Sequence, residues 1–224
     1  MVPILYFYGY NSSRMKIIIS IFICLITSAL IFSGCKKKKV TYVVEGKVTN
    51  TSSATGLSNL QLKVELKKSG NAYYTTLTTV TTDSQGKYSF SIENDLYEKV
   101  KISATPSMYF EIDRIISYGD LNQESNVYNI NTSAKSWARL IFNNINPNPG
   151  DVLQYIKQQG KIGCNECCPA DQQYLTGAVN DTIICINDGN SYYSYLYSVQ
   201  GTSNTGIQAV YTSAFDTATL ILNY

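Results

Sequence analysis

Four cysteines in the C-terminal half, Cys164, Cys167, Cys168 and Cys185, are the residues of this chain whose type and spacing best suit chemistry. An even number of thiols in an oxidising compartment predicts two disulfides. Several pairings are open, and a bond between the adjacent Cys167 and Cys168 is the least favourable, because neighbouring residues strain the ring. Closing a loop from this cluster to Cys185 would contribute roughly 3 kcal/mol. It would also tie the irregular stretch 160–177 to a sheet. The competing reading is a four-thiolate zinc site. Cys164-x-x-Cys167 has knuckle spacing, but Cys168 interrupts the pattern and no second C-x-x-C exists. A redox role would need a thioredoxin-like βαβ pattern around the motif, which the sequence lacks.

The chain contains no histidine. That excludes Ser-His-Asp and Cys-His catalysis and every His-based metal site. Asp216-Thr217-Ala218 matches half of an aspartic-protease loop, but such enzymes need two aspartates sharing a proton, and a strand start accounts for it. Asp181, Asn187, Asp188 and Asn190 offer oxygen ligands for calcium without EF-hand spacing, and turn chemistry explains them without a metal. A hydrolase using carboxylates or a Ser-Lys pair is the enzymatic alternative left standing. No catalytic residue, metal or cofactor is assigned.

Cys35 has different surroundings. Arg14 and Lys16 form a basic start, residues 17–32 an apolar run, and small Ser33 and Gly34 precede the cysteine. This is the layout of a bacterial lipoprotein signal peptide over residues 1–34, with Met15 a plausible start and Phe32 where a lipobox usually has Leu. Cys35 would be lipidated and would anchor the chain to a membrane. The rival is a transmembrane helix, since the run approaches the roughly 18–20 residues a span needs and Lys36 to Lys39 would suit its cytoplasmic flank. The small-small-Cys ending favours lipidation, with the lysines as a spacer near anionic headgroups. The expected address is the bacterial outer membrane, periplasmic face. Net charge is +2, with no basic face outside the lysine run, which argues against a nucleic-acid partner.

The elements that would position these residues are strands. Thr, Ser, Tyr, Val, Ile and Asn dominate the chain after Cys35, a mixture that favours strands and turns. In residues 40–133, Leu60 to Lys67 alternates strictly between apolar and polar, the signature of a strand with one buried face. Val44, Gly46 and Val48, then 73–82, then Tyr88, Phe90 and Ile92, then 100–102, 109–116 and 127–130 continue the pattern. Asp83-Ser84-Gln85-Gly86 reads as a tight turn. About seven short strands at this spacing predict an antiparallel sandwich.

Glu45-Gly46-Lys47-Val48-Thr49, Gly56-Leu57-Ser58-Asn59-Leu60 and Thr82-Asp83-Ser84-Gln85-Gly86-Lys87-Tyr88-Ser89-Phe90 together resemble the carboxypeptidase regulatory-like (transthyretin-like) family in order and spacing. The resemblance covers about half of the chain after Cys35. It implies a seven-stranded prealbumin-like sandwich and no activity, because in carboxypeptidases this module accompanies the catalytic domain. No ligand site carries over.

Residues 134–224 are expected to form a second, immunoglobulin-like sandwich. Strands are predicted at 138–142, 182–186, 192–199, 206–212 and 217–224, with Asn187-Asp188-Gly189-Asn190 as a hairpin turn. The stretch 151–159 reads either as a short helix capped by Asp151 or as a strand, and its neighbours favour the strand. Alternation puts Tyr193, Tyr195 and Tyr197 on one sheet face. Exposed, that row would stack on sugars or dock a protein. Buried, it would be core, which the strand propensity of Tyr favours. The sequence therefore predicts an all-β chain of two β-sandwich domains behind a lipoprotein signal. The function it favours is a non-enzymatic binding or structural module, with a carbohydrate-binding accessory protein as the alternative.

Overall fold

The computed structural model describes residues 40–224, which form one compact unit. The signal segment, Cys35 and Lys36 to Lys39 lie outside the described residues. Among the described residues no helix is long and apolar enough to cross a membrane. The described residues are all β apart from one short 3-10 turn, Tyr118–Asp120.

The first sandwich is built from β1 (Thr41–Asn50), β2 (Thr55–Gly56), β3 (Gln61–Lys68), β4 (Tyr74–Thr81), β5 (Lys87–Glu93), β6 (Tyr97–Ala104), β7 (Ile112–Ser117), β8 (Asn126–Val127) and β9 (Ile130–Thr132). In one sheet β1 runs antiparallel to β5 and parallel to β8 and β9, with β2 at its end. The facing sheet has the order β4-β3-β6-β7. The alternation read from the sequence is observed: Leu62, Val64 and Leu66 point in, and with Val44, Val48, Ile92, Val100 and Ile102 they form the first core. Each such side chain contributes about 1.5–3 kcal/mol of burial. The predicted strand at 109–116 starts only at Ile112, and Tyr109 instead bridges to Ala134.

The motif residues have local reasons to be what they are. Gly46 lies beside the segment that joins β8 to β9 along β1, and a Cβ there would lie 1.9 Å from the Tyr128 carbonyl oxygen. That carbonyl accepts from the Tyr88 hydroxyl at 2.6 Å. Asp83 Oδ1 accepts from the backbone N–H groups of Gln85 and Lys87 at 2.8 Å each. Those bonds, that to Lys87 first, hold its carboxyl below the usual carboxylate range. Gly86 closes the turn at φ +81, a conformation open to glycine without steric cost. Thr82 Oγ1 donates to Leu57 O at 2.6 Å and accepts from Leu60 N at 2.9 Å, fastening the turn to the entry of β3.

The second sandwich comprises β10 (Lys135–Asn143), β11 (Val152–Gln159), β12 (Gln173–Thr176), β13 (Asn180–Asp188), β14 (Ser191–Val199), β15 (Thr205–Thr212) and β16 (Thr217–Asn223). Its sheets have the orders β13-β10-β16 and β12-β11-β14-β15. The connectivity of the first sandwich is repeated. β10 stands for β1, antiparallel to β13 as β1 is to β5, and parallel to β16 as β1 is to β9. β11, β12, β14 and β15 stand for β3, β4, β6 and β7.

This repetition corrects the expected hairpin at Asn187 to Asn190. β13 pairs with β10 and β14 pairs with β11 and β15, so the turn carries the chain from one sheet to the other. The physical reason is burial on both sides of the turn. Cys185 and Tyr193 both point into the second core, Cys185 from one sheet and Tyr193 from the other. The stretch 160–177 is also not wholly irregular, since it contains β12.

Candidate functional site

Cys168 bonds to Cys185 and Cys164 to Cys167. The first bond attaches the loop after β11 to β13 within the second core; the second closes Cys164-Asn165-Glu166-Cys167 into a small ring. With all four sulfurs in disulfides, the zinc reading is overturned. Lys157 reinforces the loop, its ammonium donating to the carbonyls of Lys161 at 2.7 Å and Cys168 at 2.6 Å. Burial lowers its pKa from the usual lysine value.

A polar cluster occupies the junction between the sandwiches. Ser133 Oγ donates to Asp188 Oδ1, which also accepts from Lys161 Nζ at 2.9 Å. Lys161 Nζ lies 4.3 Å from the Phe110 ring centroid, and Lys135 Nζ is 2.8 Å from Glu166 Oε1. Buried Ser136, Asn187 and Thr212 bond to one another's side chains and backbone below them. Asn190 Nδ2 donates to Ser52 O at 2.9 Å, and Asn50 Oδ1 and Ser52 Oγ accept from Ala134 N. An open cleft of about 550 Å³ lies between Phe110 and the Cys164 ring.

This cluster joins the sandwiches. Ser133 and Lys161 both bond to Asp188, and among the described residues no direct Ser-to-Lys hydrogen bond, the pairing a nucleophile and its base require, is seen. Asn187, Asp188 and Asn190 bond to protein partners, and Asp181 caps the N–H of Thr182, the turn roles their residue types suit without a metal. Asp216 likewise caps Thr217 at a strand start. Among the described residues no group of three or more Cys, Asp or Glu is placed to hold a metal.

The tyrosine row is corrected as a partner face. Tyr193 and Tyr195 are 2% and 0% exposed, and Tyr197 packs against the same core. Tyr193 donates to Cys185 Sγ at 3.3 Å, and Tyr195 stacks at a tilt on Phe142, 5.5 Å between centroids. Burial raises the pKa of both phenols above the ordinary value. The Tyr195 hydroxyl is buried, with no hydrogen-bond partner among the described residues.

The opposite face of the same sheet is the exposed one. Its outward positions are 152, 154, 156 and, past the register shift after Lys157, 159 on β11, 174 and 176 on β12, 192, 194, 196 and 198 on β14, and 205, 207, 209 and 211 on β15, with Ser194 buried among them. None carries a charge. Cross-strand register sets Ile156, Leu196 and Ile207 in one row and Tyr174, Gln154, Ser198 and Thr205 in the next. Tyr192 and Tyr211 pair edge to face at 5.4 Å. Tyr174, Tyr192, Tyr211 and Ile207 are each about half exposed or more. Sequence reasoning grouped Tyr193, Tyr195 and Tyr197 correctly and missed this face. A signal for it was present, because no Lys or Arg follows Lys161.

No known family matches the sequence. No curated protein matches it. Solved structures show distant likeness. One is GBS52, the minor pilin of Streptococcus agalactiae, at 12% identity over 81% of this chain and 94% of that one, TM-score 0.34. Another is a DUF3823 family protein from Parabacteroides merdae, at 10% identity over 79% and 99%, TM-score 0.32. A third is the Bacillus anthracis TIE protein, at 12% identity over 82% of this chain, TM-score 0.36; the chain spans only 34% of that protein's length. Similarity at this distance says nothing of what the chain binds.

Proposed function

We propose that the chain is a bacterial envelope lipoprotein, lipidated at Cys35 and held at the periplasmic face of the outer membrane, whose sandwiches form a non-enzymatic binding module. The first sandwich is read as a carboxypeptidase regulatory-like domain, a scaffold in that family rather than a catalyst. The observation that carries the binding role is the uncharged outer face of the β12-β11-β14-β15 sheet, with Tyr174, Tyr192, Tyr211, Leu196 and Ile207 exposed on it. Sheets that face only water are normally polar on that side, and a contiguous exposed apolar patch marks an interaction site.

Two measurements test the reading. Fractionation of a Cys35→Ser variant should move the protein out of the membrane, and retention there overturns lipidation as the anchor. Tyrosine nitration, read by mass spectrometry, should be weaker at Tyr174, Tyr192 and Tyr211 in intact envelopes than in the purified full chain. Equal reactivity in both overturns the docking role of this face.

A further inference from the structure

The outer face of the β12-β11-β14-β15 sheet has a size and chemistry that discriminate among occupants. Across its four strands it measures about 14 Å, and from Tyr192 to Ser198 about 20 Å. That is roughly 300 Å², far below the ~800 Å² per partner of a stable protein interface. A second copy or a folded protein would overhang it on every side. Tyrosine is enriched in protein interface cores as well, so it is the small extent of the face that weighs against such a partner; no position on it carries a charge. A strongly charged polymer would find no counter-ion on it.

What the face offers is aromatic rings and amides. Phenol rings give flat apolar surface with a polar tip, which matches the C–H faces and hydroxyl edges of a sugar. Gln172 Nε2 donates to Gln154 Oε1 at 2.8 Å. Among the described hydrogen bonds, the other half of each amide, Gln154 Nε2 and Gln172 Oε1, meets no protein group. The donor and the acceptor so left suit sugar hydroxyls, since an alcohol serves in either role. These amides border a shallow depression of about 160 Å³ that also takes in Ile156, Leu196 and Ser198.

We infer that this face binds a neutral glycan, with Tyr174, Tyr192 and Tyr211 stacking on sugar rings and the Gln154–Gln172 amide pair hydrogen-bonding to hydroxyls. This rests on the proposal that the face is a docking surface and names its ligand class.

The test is retention of the purified full chain in detergent by insoluble cellulose, xylan, mannan and starch, with polygalacturonate as the anionic control. At least one neutral polysaccharide should retain the protein, and polygalacturonate should not. Tyr192→Ala with Tyr211→Ala, and separately Tyr174→Ala with Gln154→Ala, should weaken retention by about tenfold or more while the melting profile is unchanged. No retention by any neutral polysaccharide, retention indifferent to both variants, or equal retention by polygalacturonate overturns the inference. A doubled mass in light scattering that both variants abolish, without retention, overturns it in favour of a second copy. If glycan binding fails while the nitration footprint shows protection, the docking surface stands and only its ligand class falls.

Discussion

The β4-β3-β6-β7 sheet of the first sandwich and the β12-β11-β14-β15 sheet of the second hold the same place in the same connectivity, yet their outer faces differ in kind. On the first, Lys63, Glu65, Lys67, Lys99, Lys101 and Asp113 point outward, and Lys63 pairs with Glu65 at 2.6 Å and Lys101 with Asp113 at 3.1 Å. On the second, the corresponding strands present Tyr, Ile, Leu, Gln, Ser and Thr. The inward positions of the central strands β3, β6 and β14 are mostly apolar or aromatic in both. Burial of alternate side chains therefore specifies the sandwich, and outward positions are free to diverge without cost to it. The ion pairs do not make the first face a stronger structure, because exposed pairs contribute only about 0–1 kcal/mol each. Their effect is to keep that face wet and unsuited to a neutral ligand.

The sandwiches also differ in how they are held. The first relies on its aliphatic core and the Tyr88–Tyr128 bond; the second has an aromatic core and a disulfide through it. The largest test of this division is Phe142→Ala, which removes a fully buried ring from the second core. It should cost about 3–5 kcal/mol in the transition of the second sandwich in urea, read from amide exchange of β10 and β14. Exchange in β3 and β6 should stay protected. Parallel loss in all four strands would show that the two cores melt as one.

Replacing Cys168 and Cys185 together by Ala should cost roughly 3 kcal/mol, again confined to the second sandwich and seen as a lower urea midpoint. A midpoint unchanged from the parent would mean that the loop after β11 is held by Lys157 and the strand pairings alone.

Alkali should separate the sandwiches more gently. Burial pushes the Tyr88 phenol up to about 12 and raises Tyr193 and Tyr195 as well. Below the ordinary phenol value near 10 both folded and unfolded states are protonated, so nothing changes. Above it the unfolded state ionises first, and stability falls as pH rises through and beyond 10. Each buried phenol contributes a slope of up to ~1.4 kcal/mol per pH unit. Burial also raises Tyr118 in the first sandwich and Tyr155 and Tyr224 in the second, so the second sandwich, with four such tyrosines against two, should lose amide protection more steeply between pH 10 and pH 12 than the first. Equal slopes would remove the tyrosine core as the distinction.

The smallest effects should have opposite signs. Tyr195→Phe deletes a buried hydroxyl that has no partner among the described residues and should stabilise by about 1 kcal/mol. Tyr88→Phe deletes the donor to Tyr128 O and should destabilise by about 1–2 kcal/mol. Thermal melts of the two variants give the comparison directly, and a loss in both would mean that Tyr195 has a partner such as a buried water.

Much of the architecture was legible. Period-two alternation at 60–67 and 87–93 marked strands and their buried sides, and Asp83 to Gly86 declared its turn because an Asx side chain and a glycine are what that geometry needs. The stretch 151–159, ambiguous between helix and strand, is β11. Less legible was the turn at Asn187 to Asn190. Its residues suit a reversal of direction, and a hairpin and a crossing between sheets both reverse the chain.

The sequence by itself determined that no histidine chemistry is available, which residues share each strand face, and that the last part of the chain carries no basic residue. Tertiary structure alone decided which face of β14 is buried, which sheet each strand joins, and which cysteines pair. The reason is that alternation divides a strand into two faces without ranking them when both carry tyrosine, a side chain at home in a core or at a surface. Cys168 meets Cys185, and β10 meets β16, because the two sheets close on a common core. That closure links residues far apart in the chain, which no local pattern encodes.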